Sequence, residues 1–159
     1  MNGPTFTRRA AICAAFAASL GVATPVFADP LLTLMTGEGE VALTREDIEA
    51  YAQHEIITAT EFTDGEVTFR GPLVRDVLTP PEGATIAVMR AINDYAVEIP
   101  LEDFTRFDVI LATHMDGTAL SRRDKGPIWV MYPLDDHAEL ADAVYVNRLI
   151  WQLAAVSYK

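Results

Sequence analysis

Cysteine is almost absent: the 159-residue chain has one, Cys13. Beyond residue 28 there is therefore no disulfide, no thiolate nucleophile and no cysteine ligand for a metal. Serine is scarce there too. Ser121 and Ser157 are the only two, and neither sits in a Gly-x-Ser-x-Gly elbow, which argues against serine nucleophile chemistry. No GxGxxG or GxxxxGK[ST] run is present, so the glycine-rich loops that cradle nucleotide phosphates are missing. The three histidines, His54, His114 and His137, share no short metal-binding spacing, and ordinary hydrogen-bonded histidines are the simpler reading. His114 stands out because it ends a predicted strand beside a turn. Positive charge is scarce as well. There is no internal repeat and no low-complexity stretch.

The first 28 residues read as an export signal. Arg8 and Arg9 precede Ala10–Val22, which carries no charge. That run is shorter than the roughly 20 apolar residues needed to span a bilayer, and it suits a signal-peptide core. Thr24-Pro25 breaks the helix, and Val26-Phe27-Ala28 offers a cleavage site after Ala28. The arginine pair leaves the general secretory and twin-arginine routes both open. The predicted destination is the periplasm. The remaining residues, 29–159, hold 10 basic and 23 acidic side chains, a formal charge of −13. Such a field disfavours nucleic acid and anionic lipid as partners. This length supports one ordinary hydrophobic core without staples.

Short β-branched segments with few helices predict an α+β domain with a mixed, mainly antiparallel sheet. Strands are expected at 31–36, 40–43, 55–62, 66–70, 84–92, 95–99, 109–115, 128–132 and 153–158. Thr44 is expected to cap a short helix, with acidic residues in its first turn. Gly71-Pro72 is expected to turn the chain into a second short helix, and Asn93-Asp94 to form a tight hairpin. Residues 144–151 are read as a helix or connector.

Among the chemical candidates, Arg122, Arg123 and Lys125 crowd one loop of an acidic domain. Either the domain's own acids neutralise them, or they dock a phosphate, a carboxylate or an acidic partner. Arg148 and Trp151 stand three apart, on one face if the segment is helical. They read either as a stacking site for a flat polar heterocycle or as a tryptophan covered by an arginine stem. The paired acids Asp135-Asp136 read as a solvated face.

Four blocks then resemble the molybdopterin-binding domain of the sulfite-oxidase fold, in its small exported form. They are Phe69-Arg70-Gly71-Pro72-Leu73 with Arg75-Asp76-Val77-Leu78, Asn93-Asp94-Tyr95 with Ile99-Pro100-Leu101, Met115 to Tyr132, and Arg148 to Leu153. Together they cover most of residues 58–157. The resemblance implies a metal-binding cysteine about eleven residues before the aromatic Phe69, a position held here by Thr58, with Thr60 nearby. A threonine hydroxyl cannot replace a thiolate on molybdenum, so no molybdenum is expected. The resemblance also places Asp94, Tyr95, Lys125, Arg148 and Trp151 near a pterin or molybdopterin-type ligand. Exported relatives without the cysteine imply a pterin-binding regulator of a membrane sensor, such as a cyclic-di-GMP enzyme or a histidine kinase. The competing readings are a molybdopterin oxidoreductase lacking the usual ligand and an interaction module with an empty pocket.

Overall fold

The structure, a computed structural model, describes residues 29–159, so the export segment and its cleavage site lie outside the described residues. Two strands, β1 (Leu32–Thr36) and β2 (Gly39–Leu43), form the opening hairpin. Helix α1 (Arg45–Glu49) follows at the expected cap. The Thr44 hydroxyl accepts from the Asp47 amide at 3.2 Å, and the Asp47 carboxylate accepts from the Thr44 amide at 2.8 Å. This reciprocal capping satisfies two donors that a helix start leaves unpaired.

The chain continues through β3 (Gln53–Ala59), β4 (Glu66–Pro72), α2 (Val74–Val77), β5 (Ile86–Ala91), β6 (Ala96–Pro100) and α3 (Leu101–Arg106). After α3 come β7 (Ile110–Ala112), β8 (His114–Met115), β9 (Thr118–Ala119), β10 (Trp129–Met131), α4 (Ala143–Val146) and β11 (Leu153–Tyr158). One sheet has the order β2-β1-β11-β5-β6, antiparallel except for the parallel β1–β11 pair. A second has the order β3-β4-β8-β9, and β7 pairs with β10. The Val130 amide donates to the Ile150 carbonyl at 2.9 Å, and the Leu153 amide to Ile128 at 3.0 Å. These bonds tie β10 to the segment entering β11. The observed α+β architecture with mainly antiparallel ladders is the one expected.

Several local expectations change. Gly71 and Pro72 do not turn the chain; both lie in β4. Gly71 is needed for close approach, since a Cβ there would sit 1.9 Å from the Leu111 carbonyl oxygen of β7. The expected strand 109–115 breaks at Thr113, whose amide donates to the Arg70 carbonyl at 2.9 Å. A further short strand, β9, follows Asp116-Gly117, both with positive φ (47° and 74°), as a two-residue hairpin turn requires. The β5–β6 connection is wider than a two-residue turn. It spans residues 92–95, with Asp94 in the left-handed region at φ 66°. Residues 147–151 are not helical, because α4 ends at Val146.

The core gathers Phe69, Met89, Phe107, Trp129 and Tyr132, all fully buried or nearly so. Phe69 and Trp129 meet edge to face at 5.3 Å, a geometry that suits the aromatic quadrupoles. Among the described residues, no helix is long and apolar enough to cross a membrane.

Candidate functional site

A cleft of about 300 Å³ opens where three connections meet. The β3–β4 loop supplies Phe62, the β5–β6 connection supplies Asn93 and Tyr95, and the stretch after α4 supplies Asn147 and Trp151. Trp151 is anchored through its backbone, which bridges to Trp129. Its ring meets Phe62 edge-on at 4.9 Å and Trp129 at 6.3 Å, yet 36% of the residue stays exposed. Behind it, the buried Trp129 indole donates to the Leu149 carbonyl at 3.1 Å, fixing the wall. Tyr95 stands exposed at the rim.

The lining combines aromatic rings with two carboxamides. Among the described residues, Tyr95 is its only titratable side chain, and no carboxylate, imidazole, ammonium or thiol lines it. Such a surface has the chemistry to hold a flat heterocycle through burial and edge hydrogen bonds. Among the described residues it offers no carboxylate, imidazole, ammonium or thiol for nucleophilic attack or proton transfer, and the Tyr95 phenol is the one hydroxyl in it.

The expected site residues part company. Trp151 and Tyr95 share the cleft. Asp94, beside Tyr95, points elsewhere: it is exposed, 3.9 Å from Arg90, and does not line the cleft. Arg148 and Trp151 do not form a pair. Arg148 donates to Asp103 at 2.5 Å and stacks over Tyr145 at 5.0 Å, while Tyr132 donates to the same carboxylate oxygen at 2.7 Å. Burial, with Asp103 second, pushes the Tyr132 phenol far above its ordinary range. This cluster pins the post-α4 segment to α3.

The Arg122-Arg123-Lys125 cluster also separates. Lys125, at φ 65°, donates to the Phe62 carbonyl at 2.6 Å and lies over the Trp129 ring at 4.9 Å. Arg123 lines a second cleft of about 470 Å³ together with Asp116, Asp124 and Lys125. Arg122 lines a third, of about 410 Å³, beside Ser121 and Arg45. The main chain of this loop is held by Gln152, which donates to the Arg122 carbonyl at 2.8 Å. His114 lies away from the cleft, between Arg70 at 3.3 Å and the Thr113 hydroxyl at 3.0 Å. Its pKa is lowered from 6.5, first by burial, then by Arg70.

Thr58 and Thr60 flank the start of the Phe62 loop. Thr60 caps it, its hydroxyl accepting from the Phe62 amide at 3.1 Å. Thr58 is fully buried in β3, opposite Val67, with its hydroxyl 3.5 Å from the Ala59 carbonyl. The position that the resemblance assigns to a thiolate therefore holds a hard, weakly acidic, buried hydroxyl. Among the described residues no three His, Cys, Asp or Glu side chains gather as a metal-binding group. This donor set does not fit thiolate-bound molybdenum. The cleft itself offers aromatic ring surface and carboxamide donors and acceptors.

The sequence reading missed Phe62, Asn93 and Asn147 as site residues. A signal was present: Asn93 and Asn147 are the only asparagines after residue 28, and both line this cleft.

A family model for the oxidoreductase molybdopterin binding domain matches residues 35–135. No curated protein matches the chain. Among solved structures, the sulfane dehydrogenase SoxCD from Paracoccus pantotrophus is similar, with a TM-score of 0.60 and 14% identity. The likeness covers 81% of this chain and 38% of that one, so the chain spans well under half the length of that relative. At this identity the likeness shows the fold, which is sulfite-oxidase-like.

Proposed function

The chain belongs to the oxidoreductase molybdopterin binding domain family, and from that premise we propose that it is a non-catalytic pterin-binding protein. The observation that carries this reading is the cleft lining. Phe62, Tyr95 and Trp151 offer aromatic surface, and Asn93 and Asn147 offer donors and acceptors for a pterin edge. None of these five side chains is a carboxylate, an imidazole or a thiol. Thr58 supports the absence of molybdenum chemistry, because its hydroxyl stands where a thiolate would be needed. The protein acts outside the cytoplasm after loss of residues 1–28, and occupancy of the cleft modulates a membrane-bound signalling partner. The charge-free run after Arg8-Arg9 supports export.

Calorimetric titration of folded protein with neopterin tests this reading. Stacking on an indole contributes about 0.5–1.5 kcal/mol beyond burial of apolar area. Trp151→Ala should therefore weaken binding about tenfold or more, since ~1.4 kcal/mol is a factor of ten. Binding by the wild type with this loss in a folded Trp151→Ala variant supports the proposal. No heat at millimolar pterin refutes it and favours an interaction module. A second reading, an oxidoreductase, draws on the family match alone. It requires stoichiometric molybdenum and turnover.

A further inference from the structure

Phe62 belongs to two clefts at once. It closes one side of the aromatic cleft, and it also lines the larger, charged cleft that carries Arg123, Lys125 and Asp116. Among the described residues, Phe62 alone lines both.

Its position is fixed from three directions. The loop closes on itself: the Thr63 amide donates to the Thr60 carbonyl at 3.2 Å, and the Phe62 amide to the Thr60 hydroxyl at 3.1 Å. The ring meets Trp151 at 4.9 Å and Trp129 at 6.4 Å. The carbonyl accepts from the Lys125 ammonium at 2.6 Å, and that ammonium lies over Trp129. The cation that could meet an anionic tail is thereby turned onto the partition itself. A ligand-ring site of about 300 Å³ is also at the small end of the usual range, roughly 300–1,000 Å³. Its lining holds no cation, within a strongly acidic domain.

We propose that Phe62 is a specificity-determining residue, a fixed partition that admits a pterin with a short uncharged side chain and excludes one bearing a phosphate. This rests on the pterin-binding reading above and narrows it to free pterins. Removing the ring should join the two clefts and open a path from the ring site to Arg123 and Lys125.

The test compares neopterin with neopterin monophosphate on the wild type, Phe62→Ala and Phe62→Leu, by calorimetry with thermal melts to verify folding. The wild type should prefer neopterin by tenfold or more. Phe62→Ala should shrink that preference by about tenfold, the lost ring contact weakening both compounds and the opened path offsetting that loss for the phosphate ester alone, with Phe62→Leu in between. Should Phe62→Ala fail to fold, the smaller shift in Phe62→Leu decides. An unchanged preference in the folded variants overturns the partition while leaving pterin binding intact. So does equal affinity of the wild type for both compounds. If the wild type binds neither, the pterin-binding reading falls and the partition falls with it.

Discussion

Replacing Arg148 with alanine tests whether this residue holds the fold or meets a ligand. Asp103 is buried, and one of its carboxylate oxygens accepts from both Arg148 and Tyr132, at 2.5 and 2.7 Å. Both partners of the ion pair are shielded, with side chains 15% and 10% exposed. Arg148→Ala would leave a buried carboxylate with one neutral donor. Breaking a buried pair on one side costs about 3–5 kcal/mol, against about 0–1 kcal/mol for a surface pair. For a domain of this size each kcal/mol lowers Tm by roughly 3–5 °C, so the melt should fall by roughly 10–25 °C. Urea denaturation gives the free energy directly. An Asp103→Ala/Arg148→Ala double variant should lose less than the two single losses combined, because the stranded charge is gone. A loss below about 1 kcal/mol in Arg148→Ala, with additive behaviour in the double variant, would refute the structural role and return Arg148 to the list of ligand contacts.

Three further outcomes follow from the packing. Tyr132→Phe removes one donor to Asp103 and should cost about 1–3 kcal/mol in urea denaturation. Gly71→Ala forces a Cβ to within 1.9 Å of the Leu111 carbonyl oxygen, so β4 and β7 must separate; a loss of about 1–3 kcal/mol or more is expected, and a neutral result would contradict the close approach. His114 has a pKa lowered from 6.5, so the unfolded chain takes up a proton more readily than the folded one. Stability should fall as pH drops through 6.5 towards the folded pKa, and melts of His114→Gln should show a flatter profile over that window.

Much of the fold was legible because it depends on local pattern. The Thr44–Asp47 cap follows from cap chemistry and stands where expected, as does the closing strand β11. Gly71-Pro72 misled because turn residues were read without their neighbour: the glycine answers β7, which lies 40 residues on. The site was harder to read. Spacing placed Arg148 and Trp151 on one helical face, but the helix stops at Val146 and the arginine turns to Asp103 on a different element. The same holds for Lys125, whose partner is a backbone carbonyl 63 residues away. Charge proximity in sequence says nothing about such distant acceptors. Tyr95 and Trp151 converge through backbone bridges and loop lengths, and Phe62 joins them from a third connection.

The most direct measurement is the content of the protein as the cell makes it. Material purified under native conditions from the exported fraction should be analysed by mass spectrometry for bound small molecules and by elemental analysis for metal. The expected result is a free pterin with far less than one molybdenum per chain. About one molybdenum per chain, carried on a molybdopterin, would contradict a metal-free pterin-binding role.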